Sequence, residues 1–209
     1  SFSLTKTGAG TLVLAGANTL TSRIALNEGT LRIANNDAFT AYGLFAAAGT
    51  TIDYADGITN ARSINLDSGL VTFNQAGGSA TQSGRITGDA AITKTGTGNL
   101  TLRSNTYRGT TRIAEGTLTI TNDFSLGSPS VGTIVEDGAT LAIDGSILFV
   151  GEDISIAGDG VSGNGALRNL FGATDINGLV TLTGASTIAN SAGILDLNGG
   201  ITGAHDLTT

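Results

Sequence analysis

Short segments of alternating apolar and polar residues recur along the chain, each entered through glycine. Examples are Gly10-Thr11-Leu12-Val13-Leu14, Gly29-Thr30-Leu31-Arg32-Ile33, Gly98-Asn99-Leu100-Thr101-Leu102 and Gly193-Ile194-Leu195-Asp196-Leu197. Alternation with a period of two describes a strand with one buried face. It assigns Leu12/Leu14, Leu31/Ile33, Ile52/Tyr54, Val71/Phe73, Leu118/Ile120, Leu141/Ile143 and Leu195/Leu197 to the interior. The residues between them, Val13, Arg32, Asp53, Thr72, Thr119, Ala142 and Asp196, are then expected outside. Inward positions recur at 12, 31, 52 and 71, a spacing of about 20 residues. That is too long for a hairpin meander and suits one coil of a three-sided helix of strands, with coils about 4.8 Å apart. The pattern predicts an all-β fold: a right-handed single-stranded parallel β-helix (solenoid) of about nine to eleven coils.

Two other readings compete. Asp56-Gly57, Asp137-Gly138, Asp144-Gly145, Asn177-Gly178 and Asn198-Gly199 could each close a hairpin, as a β-sandwich requires. The stretch from Asp37 to Ala48, with Phe39, Tyr42 and Phe45, has helical spacing and reads as a corner excursion holding at most one turn.

A longer periodicity decides for the solenoid. LTKTGAGTLVLAGANTLTSRIALNEGTLRI, residues 4–33, returns 88 residues later as ITKTGTGNLTLRSNTYRGTTRIAEGTLTI, residues 92–120, one residue shorter. Hairpin proteins rarely repeat a cassette of this length, whereas stacked architectures do so by construction. Ile201 to Thr208 echoes Ile86 to Thr93. The chain therefore reads as a single β-helix segment, 1–209, with internal units 4–91 and 92–206 and a third unit beginning at 207.

Composition sharpens this picture. Of 209 residues, 32 are Gly and 32 Thr, against one Pro and no Cys, Met or Trp. Thr favours strands, and Gly permits tight corners. With 40% hydrophobic and 13% charged residues, the chain is not of the disordered class. The net charge of −7, with basic residues scattered singly, argues against nucleic acid and anionic membranes as partners. The longest apolar run, Ile147 to Val150, is far short of the ~20 residues of a spanning helix. Lacking an initiator Met and a signal peptide, the sequence reads as an excerpt of a longer protein.

The cassette resembles the passenger-associated transport repeat of bacterial autotransporters. The residues that carry the resemblance are Lys6, Gly8, Gly10, Leu12, Leu14, Asn18, Glu28, Gly29 and Leu31. In the second copy they are Lys94, Gly96, Gly98, Leu100, Leu102, Asn105, Glu115, Gly116 and Leu118. The segment from Gly158 to Asn169 is similar to stretches that flank such repeats. The resemblance implies a β-helical passenger exported through the periplasm to the surface of a Gram-negative cell, or secreted. It also implies an outer-membrane translocator barrel on the same polypeptide, and a host or neighbouring-cell surface as partner.

Chemistry-bearing residues are few. His205 stands alone and reads as a solvated corner residue, so neither a metal cluster nor a Ser-His-Asp triad can be assembled. Parallel β-helix enzymes acting on polysaccharides use paired carboxylates, for which Asp53 with Asp56, Glu136 with Asp137, and Glu152 with Asp153 are the candidates. Their places beside glycines mark most of them as corner formers. Gly158-Asp159-Gly160 is one imperfect copy of a calcium-binding glycine repeat, better read as turns. The Gly8-Ala9-Gly10 loop lacks the Lys-Ser/Thr and the helix of a phosphate loop. Asn18 and Asn105 are expected in polar ladders at corners. The expectation is a structural stalk or adhesin segment with no catalytic, cofactor or metal residues. A filament subunit stacking head to tail, through uncapped strand edges, and a carbohydrate-active enzyme are the alternatives.

Overall fold

The computed structural model describes residues 3–39 and 42–209. Each glycine-entered segment is a short strand that pairs in parallel with the segment one coil away, and every pairing among the described residues is parallel. The sandwich reading is thereby overturned, because its Asp-Gly and Asn-Gly pairs turn solenoid corners instead of hairpins. No described residue is in an α-helix, and the one helical element is a 3-10 turn at Val161–Gly163.

Three faces enclose the core. The first carries Leu4–Lys6, Ile24–Leu26, Leu44–Ala46, Ile64–Leu66 and Ile86–Gly88. After an irregular stretch it is resumed by Ile147–Val150, Ala173–Ile176 and Ile194–Leu197. The second face is a column of ten strands, from Thr11–Leu14 to Ile201–Thr202, and defines ten coils. At the strand spacing this rod is roughly 45 Å long. The third face acquires strands only from Thr59–Asn60 onward. In the earlier coils, side chains and backbone join it directly: Asn18 N–H donates to Asp37 O at 3.0 Å, and Thr59 N–H donates to Asn36 Oδ1 at 2.9 Å.

The inward residues form apolar columns, interrupted by a few buried polar side chains. Leu31, Ile33, Ile52, Tyr54, Val71, Phe73, Leu118, Ile120, Leu141 and Ile143 are all at most 1% exposed. Leu12, Leu14, Leu195 and Leu197 are half-buried, since fewer coils cover them. Register departs from the even spacing early in the stack, and again at bulges near Asp144, Val150 and Gly158. Ile52 pairs with Phe73, not with residue 71, so that coil has 21 residues and Tyr54 stacks on Phe73 at 6.3 Å between ring centroids. The two-residue difference preserves the faces.

Three residues expected outside are nonetheless covered: Asp53, Thr119 and Ala142, at 7%, 4% and 2% exposure. They do point outward, but neighbours in adjacent coils close over them. Arg32 pairs with Asp53, Asn74 Nδ2 donates to Asp53 Oδ1 at 2.7 Å, and Thr95 Oγ1 donates to Asn74 Oδ1 at 3.1 Å. Thr119 Oγ1 donates to Asn99 Oδ1 at 2.8 Å. The stretch from Asp37 to Ala48 is a corner followed by a strand, with no helix among its described residues. Phe39 fills the core, Leu44–Ala46 is a first-face strand, and residues 40 and 41 lie outside the described residues.

The fold makes a sharp distinction testable by denaturation. Leu118→Asp places an unpaired charge in a sealed column and should cost several kcal/mol. Ile134→Asp, on an outward position whose strand neighbour is Arg112, should change stability by less than about 0.5 kcal/mol. Equal losses in the two variants are the outcome that refutes this register.

Candidate functional site: the lysine-capped elbow

The repeated cassette folds as two elbows, one stacked on the other. In the first copy, Leu4–Lys6 runs along the first face, Thr7 to Gly10 turn the corner, and Thr11–Leu14 runs along the second. One coil later Ile24–Leu26, Asn27 to Gly29 and Thr30–Ile33 repeat the path directly above. Alternation carries Lys6 inward beside Leu4. Its ammonium reaches the corner from inside and donates to the carbonyls of Thr7, Gly8 and Glu28. Glu28 reaches back from the upper elbow, and Gly8 N–H donates to its Oε2 at 2.7 Å.

The second copy reproduces each of these bonds. Lys94 Nζ donates to Thr95 O, Gly96 O and Glu115 O at 3.0, 2.7 and 3.1 Å, and Gly96 N–H donates to Glu115 Oε2 at 3.0 Å. Lys94 is fully buried, and desolvation, only partly offset by Glu115, brings its amine down to about pKa 8. The three carbonyls turn away from the strand ladder at a corner whose outer side is partly exposed, and Lys94 meets them from the interior. Leaving any one unpaired costs about 1–3 kcal/mol. A single ammonium with three donors satisfies all of them.

Glycine at the upper elbow is fixed by two constraints. Gly29 and Gly116 have φ of +72° and +65°, and a Cβ on either would lie 2.4 Å from the carbonyl oxygen of Gly8 or Gly96 below. Gly8, Gly10, Gly96 and Gly98 form the lower elbow. Leu12, Leu14 and Leu31 line the second face, and Leu100, Leu102 and Leu118 the third.

Asn18 and Asn105 do not build a continuous ladder of amides. Each bridges coils where a strand is missing. Asn18 Nδ2 donates to Ala38 O at 2.9 Å, and Asn105 Nδ2 donates to Ser125 O at 2.6 Å while its Oδ1 accepts from Ile86 N–H at 2.9 Å. Spacing in the sequence did not reveal that the two copies occupy different faces. The first copy begins on the first face; after four coils the second begins at Ile92 on the second face, and Leu207–Thr208 lies against Ser186 on the third.

The suspected carboxylate pairs are not brought together as reactive pairs. Asp53 is held by Arg32 and Asn74, whereas Asp56 Oδ1 accepts from Ser79 N–H at 2.7 Å around the corner. Glu136 accepts from Arg112 Nε at 2.8 Å. Glu152 points inward and accepts from Thr133 Oγ1 at 2.7 Å, while Asp153 accepts from Leu179 N–H. Among the described residues no group of three or more His, Cys, Asp or Glu side chains could hold a metal. His205 is exposed. Gly158 and Gly160 take φ of +82° and +75° and make turns.

Sequence reasoning did not place Gln82 and Glu152 in the interior. Gln82 joins Tyr54 and Asn60 in one network: its Oε1 accepts from Tyr54 Oη at 2.9 Å and from Asn60 Nδ2 at 2.7 Å. Glu152, 3% exposed, lies at the foot of a cleft with Phe124, Leu126 and Val150, and burial raises its carboxyl to about pKa 7. Alternation was the available signal for Gln82, an inward polar residue after Ala80.

The elbow and the three-faced stack define a class: a parallel β-solenoid segment with an internally repeated corner. Residues 4–33 and 92–120 match the passenger-associated-transport-repeat. Over 132 residues the chain is 35% identical to the adhesin BmaC autotransporter of Brucella suis biovar 1 (strain 1330), an alignment covering 62% of this chain and 4% of that protein. The chain thus spans only a small fraction of this relative's length. No solved structure matches it.

Three measurements check the elbow and the buried Glu152. Lys94→Met keeps the apolar bulk but strips three buried carbonyls of their donor, and should lower stability by about 2–4 kcal/mol in urea titrations. Gly116→Ala should cost clearly more than Gly138→Ala, which shares a positive φ of +79° but meets no atom within 4 Å. A similar cost at both sites would assign the glycine to φ alone.

The third concerns pH. The folded Glu152 carboxyl binds its proton more tightly than the unfolded one, whose ordinary value is 4.5. Its stabilising contribution is therefore complete below about pH 4.5 and disappears as pH rises through about 7. Glu152→Gln should melt above the parent at pH 8, with the difference shrinking towards pH 4.5.

Proposed function

We propose that the chain is a structural stalk or adhesin segment of an autotransporter passenger, displayed outside the cell. A translocator barrel on the same polypeptide would carry it there by way of the periplasm. The observation that supports this reading most is the twofold recurrence of the transport repeat as the same lysine-capped elbow, in a chain similar to an autotransporter adhesin. The units 4–91 and 92–206, and the repeated Lys, Gly, Asn, Glu and Leu positions, are on this reading devices of the stack and not ligand contacts.

Local stacking suits export, because each coil contacts only its neighbours and folding can advance coil by coil. The carboxylates that resemble a catalytic apparatus are already engaged by backbone or side-chain donors, which favours a non-enzymatic role.

Antibodies raised against this chain should label intact cells that express the parent protein, and surface protease should remove the signal. Labelling confined to permeabilised cells would contradict surface display. On pectin, alginate and related polysaccharides the chain should show no turnover; activity abolished by Asp53→Asn would establish an enzyme instead.

A further inference from the structure

The outward column of the first face reads Thr5, Ala25, Phe45, Asn65, Thr87. Four members are small or polar, as a solvated strand face requires. Phe45 is the exception and is 38% exposed. Most other described aromatic rings of the first coils, Phe39, Tyr54 and Phe73, are sealed in the core. Water-facing phenyl surface forgoes stabilisation worth about 1.5–3 kcal/mol when fully buried. The corner leading into this strand adds a second exposed ring, Tyr42, at 60%.

Phe45 is also held in place. The guanidinium of Arg23 lies 4.5 Å from its ring centroid, a cation–π contact that orients the ring. With Ala25 on one side in the column, the ring stands above its surroundings. Beside it runs a shallow groove floored by Ala46 and Ala47 and edged by Asn27, Asn65 and Asp67. Asn65 spends its Nδ2 on Thr87 Oγ1, and Asp67 Oδ1 accepts from Ser68 N–H, so both polar ends are fixed.

A fixed aromatic surface with amides and a carboxylate along its edge suits a ligand that is apolar on one side and hydroxylated at its rim. Sites of this kind combine apolar area with a few placed polar groups. A pyranose ring has that character: its C–H face covers the phenyl ring, and its hydroxyls donate to Asp67 and exchange hydrogen bonds with Asn27 and Asn65. Asp67 at the edge and Arg23 over the ring balance one another, so the groove offers no net charge to favour an acidic sugar or nucleic acid. The edge residues come from three successive coils, a span of about 10 Å, which accommodates two or three linked rings.

We propose that the groove beside Phe45 binds a short neutral oligosaccharide. This deepens the adhesin reading above by naming the chemical class of its partner, yet it concerns a property of the isolated chain. Saturation-transfer NMR and calorimetry on the 209-residue protein would use cellotriose, triacetylchitotriose, maltotriose and mannotriose as neutral probes, with trigalacturonate as the acidic one. At least one neutral trisaccharide should bind at millimolar concentration. Phe45→Ala should weaken it at least tenfold, a loss of about 1.4 kcal/mol. Phe45→Trp should retain or tighten it, and Phe171→Ala, at an exposed ring elsewhere, should leave it unchanged. Melting curves of the variants separate lost binding from lost folding, and Phe45→Trp remains informative if Phe45→Ala unfolds. Absence of binding by every neutral probe, preference for trigalacturonate, or indifference to Phe45→Ala would each overturn the proposal. Failed surface labelling with intact saccharide binding would remove the display reading and leave this one standing.

Discussion

Satisfying the backbone at each corner is the constraint on which this solenoid depends. Along a face, each peptide group pairs with the coil above or below. At a corner the backbone rotates out of that ladder, and carbonyls such as those of Thr95, Gly96 and Glu115 need another donor. The buried lysine answers this with a cluster of three donors on a flexible stem, at the expense of desolvating its charge. One coil below Lys94, the fully buried Gln75 meets a similar demand with a neutral amide, donating from Nε2 to Gly77 O at 3.2 Å. Its Oε1 has no partner, so the amide solution is less complete than the ammonium one.

Most of the architecture was legible because a parallel stack has only one pattern to satisfy. Apolar residues two apart, glycine at strand entry and a coil of about 20 residues placed columns such as Leu31, Ile33, Leu118 and Ile120, whereas the first-face core of Ile24, Leu26, Ile64 and Leu66 was not read from the pattern. What else was not legible arises from contacts between coils. Asp53 is an outward residue by alternation and a covered one by virtue of Arg32 and Asn74, which lie 21 residues away on either side. The pairing of Ile52 with Phe73 depends on how much chain the intervening corners absorb, which alternation does not encode.

The elbow illustrates the same division. Lys6 and Lys94 were visible as repeated letters, and their parity with Leu4 and Ile92 already placed them inside. The missing step was the partner. Backbone carbonyls carry no sequence signature, and the third acceptor of each lysine belongs to a residue 21 or 22 positions later. The glycines of the upper elbow are explained only once the lower elbow is seen beneath them.

The advance of the cassette by one face per copy has a mechanical consequence. Were the elbows aligned on one edge, the rod would carry a stiff seam and bend preferentially away from it. Placed on two successive edges, these cross-coil ties do not line up into a single seam. They also interrupt each edge only at intervals, leaving the intervening coils free to vary outward loops such as the one around Val161–Gly163. A rod tied in this way can change its decoration coil by coil.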